Sequence, residues 1–329
     1  IVREKDRIFT IPYDNISLRQ FKDIFLQEGE MYLLADGVLA LPFQIDPLIM
    51  YWNRDIFSAA AIASPPVSWT ELFAFAPKLT LKDKSKNITT SAVALGEYKN
   101  ITNAKEIFST LIMQAGNPIV AMDNDGALKS VLQENSGANL NSVKSALSFY
   151  TDFSNPIKTV YSWNRALPNS KNLFISGDLA IYFGFASEMQ EIKTKNLNLN
   201  FDIARIPQAQ DTKTKITFGK ILGFSIVKNS KNIPSAFSTI SYLTGSNPIT
   251  LWNSISKLPP VRRDLLSNPP KDSYSSIFYD SAIRARAWLD PYREETDKIF
   301  QKIIESAVSG ESNLNEVINR ASSEIDALF

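Results

Sequence analysis

An α/β fold is the prediction for this chain of 329 residues, and three observations carry it. Strand-like and helix-like stretches alternate along its length. Apolar residues make up 44% of the sequence, ample for a core at a length that implies two domains or one large one. Turn and stop signals, among them Asp36-Gly37, Pro65-Pro66 and Gly310, punctuate the periodic segments.

The elements follow in order. Residues 1–30 mix an irregular start with a helix over "SLRQFKDIFLQ". "MYLLADGVLALPF" reads as a hairpin, because Asp36-Gly37 is a strong two-residue turn signal between two apolar runs. The strand then enters "ALPFQIDPLIMYWNRDIF" (40–57). Pro65-Pro66 stops whatever precedes it. Ser68 and Glu71 fit a capping box, with Val67 and Leu72 at the hydrophobic-staple positions. Leu72, Phe73, Ala76 and Leu79 are expected as the buried stripe of that helix. Residues 103–116 read as a helix with Gly at its end, and 140–153 as another. "KNLFISGDLAIYFGFASEMQEI" reads as helix or turn, a short strand from Leu179 to Phe183, then a turn into a helix. "FDIARIPQ" and "ITFGKILGFSIVK" are further strands. "IPSAFSTISYLTG" is an amphipathic helix ended by Gly245, and the last 30 residues make two helices broken at Gly310.

Composition removes whole classes of chemistry. The chain has no His and no Cys, so a Ser-His-Asp triad, a Cys nucleophile and any zinc or iron site built on thiolate or imidazole are ruled out. With no disulfides, cysteine usage says nothing about the compartment. The formal net charge is +1, which gives no electrostatic footprint for nucleic acid or an anionic membrane surface. No apolar run reaches 18 residues, so no helical bilayer span is expected.

Most catalytic and ligand motifs are absent: there is no G-x-G-x-x-G, no P-loop and no G-x-S-x-G. "MDNDGALKSVLQE" superficially resembles a calcium loop, but in that register positions 1 and 12 are Ala121 and Leu132, where carboxylates are required. It reads as a surface turn at Asp125-Gly126. The sequons at Asn15, Asn87 and Asn100 match by chance in an Asn-rich chain. The 34 acids offer many carboxylate pairings for a glycosidase, yet no local signature marks one.

The segment 40–57 is the anomaly: a buried strand that carries Gln44, Asp46, Pro47 and Asn53. Together with others it resembles the carbohydrate-type extracellular solute-binding proteins of ABC importers, family 1, the group of maltose-binding protein. The resemblance runs through "DGVLALPFQIDPLIMYWNRDIF" and "PPVSWTEL", then "FISGDLAI", "FDIARIPQ", "FSIVKNSKNIPSAFSTISYLTG", "LPPVRRDLL" and the terminal "SGESNLNEVINRASSEI". Their order and spacing over residues 36–329 carry the assignment. Departures are Leu179, Ile181 and Trp52, the last standing where a Tyr is usual. The family's first strand–helix unit has no counterpart here, and the chain opens on Ile1 without an initiator Met, so it reads as a fragment or a processed chain.

The resemblance implies a two-lobed α/β protein of the periplasmic-binding-protein type II fold with hinge-crossing strands. Lobe 1 is expected from 1–47 and 222–284, lobe 2 from 48–221 and 285–329. Ligand would lie in the cleft between them. Pro47 restricts the backbone at the first crossing. Asp46 falls where the family has an acidic ligand contact; otherwise it caps a turn before Pro47. Phe185 falls at the usual aromatic platform, or in the core. Glu188 bonds hydroxyls, or sits in the first turn of the next helix. Trp163, Asn100, Gly219, Lys220, Arg286 and Trp288 complete the candidate ligand set, with hinge packing as the alternative for Trp288. Tyr51 and Asn53 are read as structural.

The implied function is an extracytoplasmic receptor, on the cell surface or in the periplasm, that closes on a mono- or oligosaccharide by population shift and docks on the transmembrane subunits of an ABC permease. It would be a monomer, without cofactor, metal or nucleic acid, making and breaking no bond. A lipid anchor would be attached upstream of Ile1. Two alternatives stay open. The same fold can take a peptide, a polyamine or a polyvalent anion, for which Arg262, Arg263, Arg284 and Arg286 are the candidates. A carboxylate-based glycoside hydrolase is the other.

Overall fold

The computed structural model describes residues 3–123, 127–133, 142–210, 214–310 and 313–329. In chain order the elements are β1 (Ile8–Phe9), β2 (Ile11–Pro12), α1 (Leu18–Ile24), β3 (Gly37–Val38), β4 (Leu41–Asn53), α2 (Arg54–Ala59), α3 (Trp69–Leu79), β5 (Leu81–Lys82) and β6 (Ile88–Val93). Then come α4 (Ala104–Gln114), β7 (Val120–Met122), β8 (Leu128–Ser130), α5 (Ser142–Asp152), α6 (Ser170–Ser176), β9 (Leu179–Phe185), α7 (Met189–Lys195) and β10 (Phe201–Ala204). The last third holds β11 (Thr217–Phe224), β12 (Ile226–Val227), α8 (Ile233–Leu243), α9 (Ser246–Ser256), α10 (Arg263–Leu266), α11 (Ser273–Ile283), β13 (Ala285–Arg286), α12 (Arg293–Ser309) and α13 (Leu314–Asp326). Strands and helices are mixed, as the alternation predicts.

The chain divides into two compact units. The first comprises Ile1–Pro47, Phe185–Ser187 and Phe218–Pro291; the second comprises Leu48–Gly184, Glu188–Thr217 and Tyr292–Phe329. Strand β4 therefore gives its first half to one unit and its second half to the other.

In the first unit, residues 41–47 of β4 pair antiparallel with β11, Lys220 opposite Asp46 and Gly219 opposite Pro47. Strand β13 lies on the other side of β11. The short pairs β1–β12 and β2–β3 are also antiparallel. Phe21, Phe25, Tyr32, Val38, Leu41, Ile45, Ile226, Ile249, Val261 and Ala282 form the core. Their burial drives this unit's collapse, at roughly 25 cal/mol per Å² of apolar surface removed from water.

In the second unit, β4 is followed in the sheet by β9, β6 and β5, with β10 also on β4. Strands β6 and β9 run parallel and β10 antiparallel to β4. Every residue of β9 is buried, the continuous apolar run that a strand covered on both faces requires. Helices α4 and α5 pack on each other, and α12 covers both.

Several local expectations hold with changed boundaries, and some are corrected. Helix α1 is capped by the box Ser17/Gln20. Helix α4 ends at Gln114 with Gly116 at φ +86°, and Gly310 at φ +68° separates α12 from α13. The hairpin expected over 31–43 reduces to one bridge, Leu33 with Val38. Val38 is held instead by Ile11, and Gly37 allows this approach, since a Cβ there would lie 2.3 Å from the Ile11 carbonyl oxygen. The capping box at Ser68 is half made. Ser68 Oγ accepts from the Glu71 amide (3.2 Å), but the Glu71 carboxylate reaches Val67 N–H (2.8 Å), one residue earlier. Val67 is 72% exposed and forms no staple, and the stripe of α3 is Trp69, Leu72, Ala76 and Leu79, with Phe73 at its margin. Gly245 is extended (φ −69°) and stands as N-cap of α9, which follows α8 at once; sequence patterning missed α2, α9, α10 and α11. The strand begun at Leu179 runs on to Phe185. The turn expected at Asp125-Gly126 and the first two residues of the helix expected over 140–153 lie outside the described residues.

Candidate functional site

Four of the nine candidates meet in the first unit, where β4, β11 and the segment 185–187 come together. Asp46, at 8% exposure, accepts the Ser187 amide on Oδ1 at 3.0 Å. Directly across the antiparallel pair stands Lys220. Facing residues in such a pair project to the same side of the sheet with their Cβ atoms about 5 Å apart. The Lys220 ammonium lies 3.6 Å from the centroid of the Phe185 ring, and Phe218 meets that ring edge-on at 6.4 Å. Phe185 is 2% exposed. The extension of β9 to Phe185 is what carries this ring to the cluster. Gly219 faces the other way. A Cβ on it would stand 2.5 Å from Ala285 Cβ and 3.2 Å from Ile45 Cδ1, so its bare α-carbon lets β13 and β4 close on β11.

Arg286 and Trp288 stand at the end of β13, beside a residue that sequence reasoning passed over. Arg286 donates to the Ala285 carbonyl (2.6 Å) and to Gln27 Oε1. Glu28, 5% exposed, accepts the Ala287 amide at 2.6 Å. Burial pushes the Glu28 carboxyl up to about 8, against the smaller opposing pull of the Ala287 amide and the Arg286 guanidinium. Tyr32 belongs to the same cluster: its hydroxyl donates to the Ile221 carbonyl (3.1 Å), and burial, then Glu28, raises its pKa. Trp288 is 8% exposed. No local motif marked Glu28, which shares its short helical turn with Gln27 and a second acid, Glu30.

The other three candidates belong to the second unit. Asn100 donates to the carbonyls of Asn164 (2.8 Å) and Leu167 (3.0 Å) and accepts from Trp163 Nε1 (3.0 Å), which fixes a wholly buried indole. Glu188 accepts from the Tyr182 hydroxyl (2.7 Å) and Asn103 Nδ2 (3.0 Å), with Lys171 Nζ at 3.2 Å. Tyr51 and Asn53 are structural, as expected. Tyr51 is fully buried among Phe174, Tyr182 and Phe201, and Asn53 caps α2 through the amides of Asp55 and Ile56.

The arginines named for an anion site are occupied locally. Arg262 pairs with Asp264 and Arg284 with Asp280, while Arg263 donates to the carbonyls of Lys22 and Phe25. Among the described residues no cluster of three or more His, Cys, Asp and Glu is placed to hold a metal ion, and no helix is long and apolar enough to cross a membrane.

This arrangement of strands and helices is shared with solved structures. A cyclo/maltodextrin-binding protein complexed with maltotetraose superposes with a TM-score of 0.76 at 15% identity, covering 99% of this chain and 80% of that one. The GacH receptor of Streptomyces glaucescens GLA.O, solved unliganded and with acarbose, gives 0.71 at 16% identity, with 100% and 81% covered. UgpB from Mycobacterium tuberculosis, in complex with glycerophosphocholine, gives 0.71 at 15%, with 97% and 78% covered. The fold is that of the periplasmic-binding-protein type II class. The model of the bacterial extracellular solute-binding proteins matches residues 12–277, well over half of the chain, and the chain belongs to that family. A Brucella abortus (strain 2308) protein named only as a binding protein is 24% identical over 331 aligned residues, spanning 97% of this chain and 74% of its own.

Proposed function

We propose that this protein is the extracytoplasmic receptor of an ABC importer, that it captures a carbohydrate, and that it passes the carbohydrate to the permease's transmembrane subunits without chemical change. Family membership supports the receptor class. The ligand class rests on the relatives solved with maltotetraose and acarbose and, in this chain, on one observation: Asp46 and Lys220 face each other on neighbouring strands with Ser187 N–H fixing one carboxylate oxygen. A carboxylate accepts sugar hydroxyls and an ammonium donates to them, and both do so more strongly than neutral groups. In this reading the two compact units are the receptor's lobes and the protein acts as a monomer.

Asp46 and Lys220 are the proposed ligand contacts of the first unit. Gly219, Arg286 and Trp288 shape the strands beside them, and Asn100, Trp163 and Glu188 brace the second. Calorimetric titration against neutral oligosaccharides, with a parallel assay for reducing ends, tests the proposal. Saturable binding in the micromolar range, roughly −8 kcal/mol, without product is the expected result. Release of reducing ends would make the protein a hydrolase, and the absence of binding across the panel would overturn the receptor reading.

A further inference from the structure

The Phe185 ring sits where a sugar-stacking platform is expected, yet it offers no open face. It is 2% exposed, with the Lys220 ammonium 3.6 Å from its centroid and Phe218 against its edge. An ammonium at that distance is held by the ring quadrupole. The same side chain stands opposite Asp46 across the strand pair. Phe185 thus holds the ammonium of the residue that faces Asp46, and the facing pair carries opposite charges.

We propose that Lys220 is the residue that selects the solute: it donates to one hydroxyl of a vicinal diol while Asp46 accepts the neighbouring one, so a neutral sugar binds edge-on, with Phe185 as the seat of the ammonium and not as a stacking surface. The inference rests on the receptor reading above. An ionised carboxylate has acceptor sites for about four donors, so Asp46 can hold the Ser187 amide on Oδ1 together with other donors. A neutral ligand preserves the charge balance of the pair. An anionic or cationic one leaves an uncompensated charge in a largely desolvated place, which is costly. Lys220 is the contact residue, and Phe185 is a positioning residue that acts through it.

The test is calorimetry of the wild type and of Lys220→Met, Lys220→Arg and Phe185→Leu, with maltotetraose, mannobiose, glucose, glucuronate and glucose 6-phosphate as probes. For each neutral sugar that binds, Lys220→Met is expected to weaken affinity about 10- to 100-fold, the loss of one charge-assisted hydrogen bond. Lys220→Arg, which keeps both the charge and the ring contact, should stay within about 5-fold. Phe185→Leu should cost less than Lys220→Met. The inference is overturned if Lys220→Met binds within twofold of wild type or more tightly, if Phe185→Leu costs more than Lys220→Met, or if glucuronate or glucose 6-phosphate binds best. A panel with no binder in any variant defeats the receptor reading, and this inference with it.

A second measurement needs no ligand. After reductive methylation with ¹³C, the dimethylammonium signal of Lys220 should lie upfield through the ring current of Phe185, and return to the position of an exposed lysine in Phe185→Leu. An unshifted signal in the folded wild type also overturns the inference.

Discussion

Among the described residues, Glu28 is the carboxyl group held furthest from its ordinary state. It sits almost fully buried under the end of β13, and burial lifts its carboxyl from 4.5 to about 8. Between those two values the folded protein keeps a proton that the unfolded chain has released. Stability from this group is therefore complete below pH 4.5, falls as pH rises, and levels off above 8. The full loss is about 5 kcal/mol as an upper bound. Denaturant titrations of the wild type between pH 5 and 8.5 should show that decline, and Glu28→Gln should flatten it; equal slopes would remove the burial argument. Asn100 makes the opposite case. All of its side-chain bonds go to the protein, so Asn100→Ala should lower unfolding stability by about 2–3 kcal/mol by stranding the buried Trp163 Nε1 and two carbonyls. Urea denaturation reads the loss directly.

Elements with strong local signals were legible in the sequence: the Ser68 cap of α3, the glycine ends of α4 and α12, the apolar strand β4 and the start of β9. What escaped depended on contacts distant in the chain. The two-residue turn at Asp36-Gly37 promised a hairpin, but Val38 found Ile11, a partner 27 positions away, because nothing projects from Gly37 to keep β2 off. Helix α9 was missed because Gly245 looked like a helix end, whereas its extended backbone starts the next helix. The candidate site divides in the same manner. Asp46 was visible as an acid inside a buried strand and Lys220 only through the family resemblance, while the roles of Phe185, Asn100 and Glu28 follow from neighbours more than 30 positions away. Gly219 carries a prediction at this scale. Gly219→Ala should destabilise by about 1–3 kcal/mol through overpacking against Ala285, and Ala285→Gly in the same chain should restore part of it. A double-mutant cycle in urea without coupling would refute the steric account.

At the scale of the molecule, neither unit is a single run of sequence. The core of the first is assembled from residues between Ile11 and Ala285. The second is completed only by Tyr292–Phe329, which contribute Ile299, Phe300, Ile303, Ile304, Val317, Ile318 and Ile325 to buried positions, with Phe300 against Phe108 of α4. Each such side chain is worth about 1.5–3 kcal/mol when buried, so together they are comparable to a typical net stability of about 5–15 kcal/mol. A chain cut after Pro291 should accordingly lose the cooperative melting transition of the second unit, read by calorimetry. The order of manufacture has its own effect. Ribosomes deliver α4 and α5 long before their cover, so greasy helix faces stay bare until α12, about 140 residues further on than the end of α5, has been made. A nascent polypeptide of this design remains open to holding chaperones, and its second unit matures only once residues 292–329 have joined it.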